Sequence, residues 1–142
     1  FTRNPELEVI YDKKRRDLQH CPGACTEERL VFHGTKLCNV DDILKGNLKE
    51  NTWGRAHGST FGRGFYFSDS PQFSLAQSDE QTLMLFRLVP GKVQWYDRSA
   101  GELAAGYHCR IPFKTVEHEI STEIVVKDAC HFVPLAVITV AS

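Results

Sequence analysis

Between Asn4 and Leu18 the apolar residues Leu7, Ile10, Tyr11 and Leu18 recur at steps of three, four and seven, with Lys14 on the same stripe. That spacing predicts an amphipathic surface helix, begun by Asn4 as a cap and Pro5 in the first turn. HCPGAC breaks it. RLVFHGT, at residues 29–35, is a short, mostly apolar run that reads as a strand ending at Gly34. In NVDDILKGNL, residues 39–48, Val40, Ile43 and Leu44 share one face behind Asn39 as a cap. Gly46 then stops a helix of about two turns.

From Lys49 to Thr60 the chain has loop composition and no period, a length of connection that in compact domains often serves function. GFYFS (64–68) then reads as a strand, SPQFSLAQ (70–77) as a short helix started by Ser70 and Pro71, and TLMLFRLV (82–89) as a long strand. PGKVQWYD continues extended, and RSAGELAAGYHCRIPF (98–113) reads as irregular. STEIVVKD and HFVPLAVITVA supply two terminal strands. Short helices scattered among strands, without regular alternation, predict an α+β domain whose sheet is largely antiparallel.

Composition narrows the partners. A chain of 142 residues, 42% hydrophobic and 25% charged, holds one domain with one core. Its formal net charge of -1 counts against general affinity for phosphate backbones. The basic run Lys13 to Arg16 is interleaved with Glu6, Glu8, Asp12 and Asp17, which reads as a solvated helix face. No apolar stretch reaches bilayer length. The chain opens on Phe1 rather than Met, so it reads as one domain, residues 1–142, excised from a longer protein. Five cysteines in no paired spacing suit reduced thiols in an intracellular, cytoplasmic or nuclear setting. His20, Cys21 and Cys25 could form part of a zinc site but lack a fourth ligand.

Gly62 and Gly64 precede a strand, whereas a dinucleotide fingerprint follows one and opens a helix. Three other residues carry the candidate chemistry. His33, at a strand end before Gly34 and Thr35, could bond a sugar hydroxyl, or merely satisfy its own fold. Tyr66 could offer a ring face to a planar ligand, or pack in the core. Glu123 heads EIVV, where a carboxylate suits a cleft or a solvated strand edge.

The ordered series EERLVFHGT, AHGSTFGRGFYFSDS and TEIVVKDACHFVPLAVI resembles the catalytic domain of the poly(ADP-ribose) polymerase class of ADP-ribosyltransferases, over nearly the whole chain. RNPELEVIYDKKRRD is similar to that family's opening segment. The resemblance implies an ADP-ribosyltransferase fold of mostly antiparallel sheets with short flanking helices, and a His-Tyr-Glu triad of His33, Tyr66 and Glu123. It implies NAD+ as co-substrate and no metal. His33 would bind a ribose hydroxyl, Gly34 and Ser74 would hold the nicotinamide carboxamide, and Tyr66 would pack on its ring. Glu123 would bond the 2′-hydroxyl of the nicotinamide ribose. Thr35 and Phe67 count among the cofactor-binding residues, although Phe67 alternates with Tyr66 and turns its ring toward the core. Gln77 stands where many members carry a second stacking tyrosine. The regulatory helical domain of the DNA-break-activated members is absent from this sequence. The expected reaction is transfer of ADP-ribose to protein side chains, single units favoured over chains and nucleic-acid acceptors less expected. The alternative is an NAD- or ADP-ribose-binding module with little turnover.

Overall fold

A computed structural model describes residues 2–48, 64–71, 74, 82–96, 103–112 and 123–139. Helix α1 (Pro5–Leu18) starts as the sequence predicts: the Asn4 side chain accepts from the Leu7 amide, and Pro5 fills the first turn. Tyr11 and Leu18 are buried, whereas Ile10 is about half exposed, so the apolar stripe is narrower than its spacing suggests. Strand β1 (Arg29–Thr35) follows.

Asn39 corrects an expectation. A 3₁₀ turn, Leu37–Asn39, leads directly into α2 (Val40–Leu44), so Asn39 has helical backbone angles and its side chain makes no capping bond. Gly46, at φ +79°, ends that segment, and a Cβ there would come within 2.9 Å of Leu7 Cδ2. The Asn4 amide donates to the Leu44 carbonyl at 2.8 Å, tying the two helices together.

The remaining strands are β2 (Phe65–Ser68), β3 (Thr82–Leu88), β4 (Val93–Tyr96), β5 (Cys109–Pro112), β6 (Glu123–Val126) and β7 (Phe132–Thr139). They form one seven-stranded sheet in the order β4-β5-β6-β2-β1-β3-β7. Strand β5 overturns the irregular reading of residues 98–113. Cys109 and Ile111 are fully buried, and two alternating apolar positions beside Gly106 are too short a period to recognise in sequence. Strand β5 also pairs parallel with β4, whereas every other described pairing is antiparallel.

Alternation along the strands builds two cores. Phe65 and Phe67 of β2, Ile124 and Val126 of β6, Phe86 of β3 and Phe132 of β7 join Val40 and Ile43 of α2 in the larger one. Val133, next to Phe132, turns to the opposite face and packs with Tyr11, Leu18 and Val89 against α1. Pro134 is tolerated in β7 because the register slips between Leu85 and Phe86, and the bulge leaves the Leu135 carbonyl to accept from Thr2 N–H at 3.1 Å. A clamp anchors α1: Tyr11 Oη and Arg87 Nε donate to Glu28 Oε1 at 2.7 and 2.8 Å, with the Arg87 guanidinium 5.0 Å above the Tyr11 ring.

Candidate active site

Three neighbouring strands, β6, β2 and β1, carry Glu123, Tyr66 and His33. Their register brings the motif ends together. Ser68 lies opposite Glu123 on one side and opposite Phe32 on the other, one residue before His33. Tyr66 faces Val125. Because side chains alternate, Tyr66, Ser68, Val125 and Glu123 share the face opposite the aromatic core, whereas His33, across from Phe67 and in ring contact with it, projects to the core face. Ser68, which the sequence reading passed over, is therefore the junction, and its Oγ accepts the Ser70 N–H at 3.0 Å to turn the chain out of β2. The signal was present in the serine-rich end of FYFSDS, since such hydroxyls bond the backbone two residues on.

The His33 ring reaches back across β2: Nδ1 is 2.9 Å from the Tyr66 carbonyl oxygen. A carbonyl accepts only, so Nδ1 carries the proton and Nε2 is an acceptor lone pair. Burial pushes the His33 pKa down to about 4, overriding the Tyr66 bond that acts to raise it. At neutral pH the imidazole is therefore uncharged and suited to accept from a hydroxyl. Glu123 moves the other way: burial raises its carboxyl to about 7. It stands near half ionisation at neutral pH, poised both to accept a proton and to stabilise a nearby cation.

Pro71 and Ser74 lie in helical backbone, and Ser74 N–H donates to the Ser70 carbonyl. Ser74 is buried, and its Oγ donates to the Phe32 carbonyl at 3.2 Å. That use of its proton keeps lone pairs on Oγ for an incoming amide N–H, which suits a carboxamide. Gly34 and Thr35 follow His33 on β1, in register with Leu83 and Thr82 of β3, and Thr35 is buried. The Phe67 ring is only 2% exposed and packs edge to face with Phe86 and Phe132, so it belongs to the core and offers no ring surface to a ligand. Gln77 and Gly62 lie outside the described residues.

Gly64 also acquires a different reason. At φ +151°, a Cβ on it would sit 2.8 Å from both Val125 Cγ1 and the Val126 carbonyl oxygen. The close approach it permits is that of β6 to β2, the pairing that sets Val125 opposite Tyr66 and Glu123 opposite Ser68. His20, Cys21 and Cys25 do not gather into a ligand set, and no group of three or more metal-binding side chains occurs among the described residues. All five cysteines are free thiols. No helix among the described residues is long and apolar enough to cross a membrane.

Protein mono-ADP-ribosyltransferase PARP12 of Homo sapiens is 32% identical over 87 residues, which is 59% of this chain and 12% of that protein. The Mus musculus protein of the same name is 31% identical over 87 residues, with the same shares covered. The chain thus spans about an eighth of the length of these curated relatives. The family model for the poly(ADP-ribose) polymerase catalytic domain matches residues 3–141, taking in β1, β2 and β6 together with the sheet that aligns them. On that match, the chain belongs to the poly(ADP-ribose) polymerase catalytic domain family.

Proposed function

We propose that this domain transfers ADP-ribose from NAD+ to a protein side chain, one unit at a time, and releases nicotinamide. The observation that carries the reading is the register through Ser68, which aligns the strand bearing His33 with the strand bearing Glu123. Family membership supports the transferase, since enzymes of this family use NAD+ as co-substrate. The mono-ADP-ribosyltransferase name of the relatives supports single transfer to protein.

In this reading His33 Nε2 accepts from a ribose hydroxyl and fixes the sugar, while the Gly34 backbone and Ser74 Oγ hold the carboxamide. The Tyr66 ring packs on the nicotinamide. Breaking the bond between ribose and nicotinamide builds positive charge on the sugar and lets nicotinamide leave as a neutral molecule, so no general acid is required. Glu123 stabilises that charge as it forms, an interaction absent in the ground state and therefore effective on rate. The cationic pyridinium of bound NAD+ draws the raised Glu123 pKa back toward the carboxylate range. Glu123 can also take the proton of the incoming nucleophile.

Labelled NAD+ tests the proposal directly. The wild-type domain is expected to label protein, and Glu123→Ala and His33→Ala to lose at least about a hundredfold of that labelling. Tight NAD+ binding without nicotinamide release would replace the transferase by a binding module. A ladder of products in place of a single shift on gels would refute single transfer.

A further inference from the structure

Strands β1 and β2 meet in one described register pair, Phe32 with Ser68, and a run of serines closes a circuit around it. Ser68 Oγ accepts the Ser70 N–H at 3.0 Å. The Ser70 carbonyl accepts the Ser74 N–H at 3.2 Å, and Ser74 Oγ donates to the Phe32 carbonyl at 3.2 Å. Phe32 leads back to Ser68 across the strands. Both hydroxyls in the circuit belong to buried residues, Ser68 at 1% exposure and Ser74 at 4%. Gly34 stands just beyond His33 on β1, so the circuit ties Ser74 to the strand that carries Gly34.

We propose that Ser68 is a positioning residue for nicotinamide recognition: by holding the Ser70 N–H, its hydroxyl sets Ser74 Oγ at the separation from the Gly34 backbone that a carboxamide spans. This rests on the function proposed above for Gly34 and Ser74. A hydroxyl that accepts from the backbone two residues on fixes the direction in which the chain leaves its strand. Here that direction decides where the helical backbone holding Ser74 begins. The effect passes through the Ser70 main chain, whose N–H and carbonyl are both links of the circuit, whatever else that residue touches. In a closed circuit each link limits the travel of the others, whereas opening it at Ser68 lets Ser70 and Ser74 shift against β1. The consequence is chemical selectivity. Ser74 gives its proton to the Phe32 carbonyl, so toward a ligand its Oγ is an acceptor. A carboxamide brings an N–H to that acceptor, and a methyl ketone of the same shape brings none.

Substitutions at Ser68 separate the hydrogen bond from the packing. Ser68→Ala removes the hydroxyl, Ser68→Cys nearly keeps its volume with a far weaker acceptor, and Ser68→Thr keeps the hydroxyl on a residue suited to a strand. Ligand titration followed by NMR compares nicotinamide with acetylpyridine, its methyl ketone counterpart, and steady-state assays give KM and kcat for NAD+. The wild type is expected to prefer nicotinamide about tenfold, the value of one neutral hydrogen bond. Ser68→Ala and Ser68→Cys are expected to lose most of that preference and to raise KM for NAD+ about tenfold. Their kcat should stay within about threefold of wild type, because the carboxamide is held equally in the ground and transition states. Ser68→Thr is expected to keep both the preference and the KM. A Ser68→Ala domain that discriminates like the wild type, or a folded Ser68→Thr domain that behaves like Ser68→Ala, would overturn the assignment, as would a wild type that does not distinguish the two ligands. The titration needs no turnover, so a wild type that prefers nicotinamide yet transfers nothing would defeat the transferase reading while the variants still decide the role of Ser68.

Discussion

Acid should loosen this fold through a histidine remote from the candidate site. His131, just ahead of β7, is fully buried, with Nδ1 2.9 Å from the Val89 carbonyl. Nδ1 therefore carries the proton, and Nε2 is a buried acceptor with no hydrogen-bond partner among the described residues. His108 stacks beside it at 5.0 Å between centroids, its Nδ1 accepting the Lys92 N–H. Both rings close on Gly91, where a Cβ would lie 2.7 Å from His108 Nδ1 and 2.9 Å from His131 Cε1. Burial, followed by the His108 and Lys14 charges, outweighs the Val89 bond and Asp128 and lowers the His131 pKa from 6.5 to about 4. The folded state thus binds this proton more weakly than the unfolded chain. Its contribution to stability is whole above 6.5 and drains as pH falls toward about 4. That gap is worth about 3 kcal/mol in all and about 2 kcal/mol at about pH 5. His131→Gln keeps an N–H for the Val89 carbonyl and removes the titration. Urea unfolding at about pH 7.5 and about pH 5 should show the wild type losing about 2 kcal/mol more than the variant between the two. His33 and Glu123 titrate in both proteins and cancel from the comparison. Equal losses in the two proteins would refute the reasoning.

Glu123 has the opposite linkage. Its carboxyl is raised from 4.5 to about 7, so the fold bears the cost of a half-buried carboxylate above that range. Glu123→Gln is expected to be more stable than wild type by about 2 kcal/mol at about pH 8 while losing nicotinamide release, as denaturant unfolding and product assay would show. A variant no more stable at that pH would mean that the carboxylate has a stabilising partner. Gly64→Ala should cost at least about 2 kcal/mol, because a side chain at φ +151° meets the β6 backbone. An unchanged melting temperature would show that β6 can withdraw without loss.

Much of this protein is local chemistry that the chain declares for itself. The Asn4 cap, the Pro5 start, the limits of β1 and the stop at Gly46 are decided within a few residues by capping, fixed φ and positive φ, so they are legible in order. The three motifs around His33, Tyr66 and Glu123 are legible only through their ordered resemblance to a known family, while the alternation that turns Phe67 away from Tyr66 is legible in the strand period itself. What that alternation leaves open is which residue waits on the other side. Only the pairing of β1 with β2 places His33 there, and only the approach of β6 across Gly64 brings Glu123 to Ser68. Strand β5, too short to show a period, exists because Cys109 and Ile111 fill a core built by distant strands. The neutral His33 and the half-ionised Glu123 belong to tertiary structure as well. Desolvation is imposed by neighbours far away in sequence, and it sets which proton each group holds.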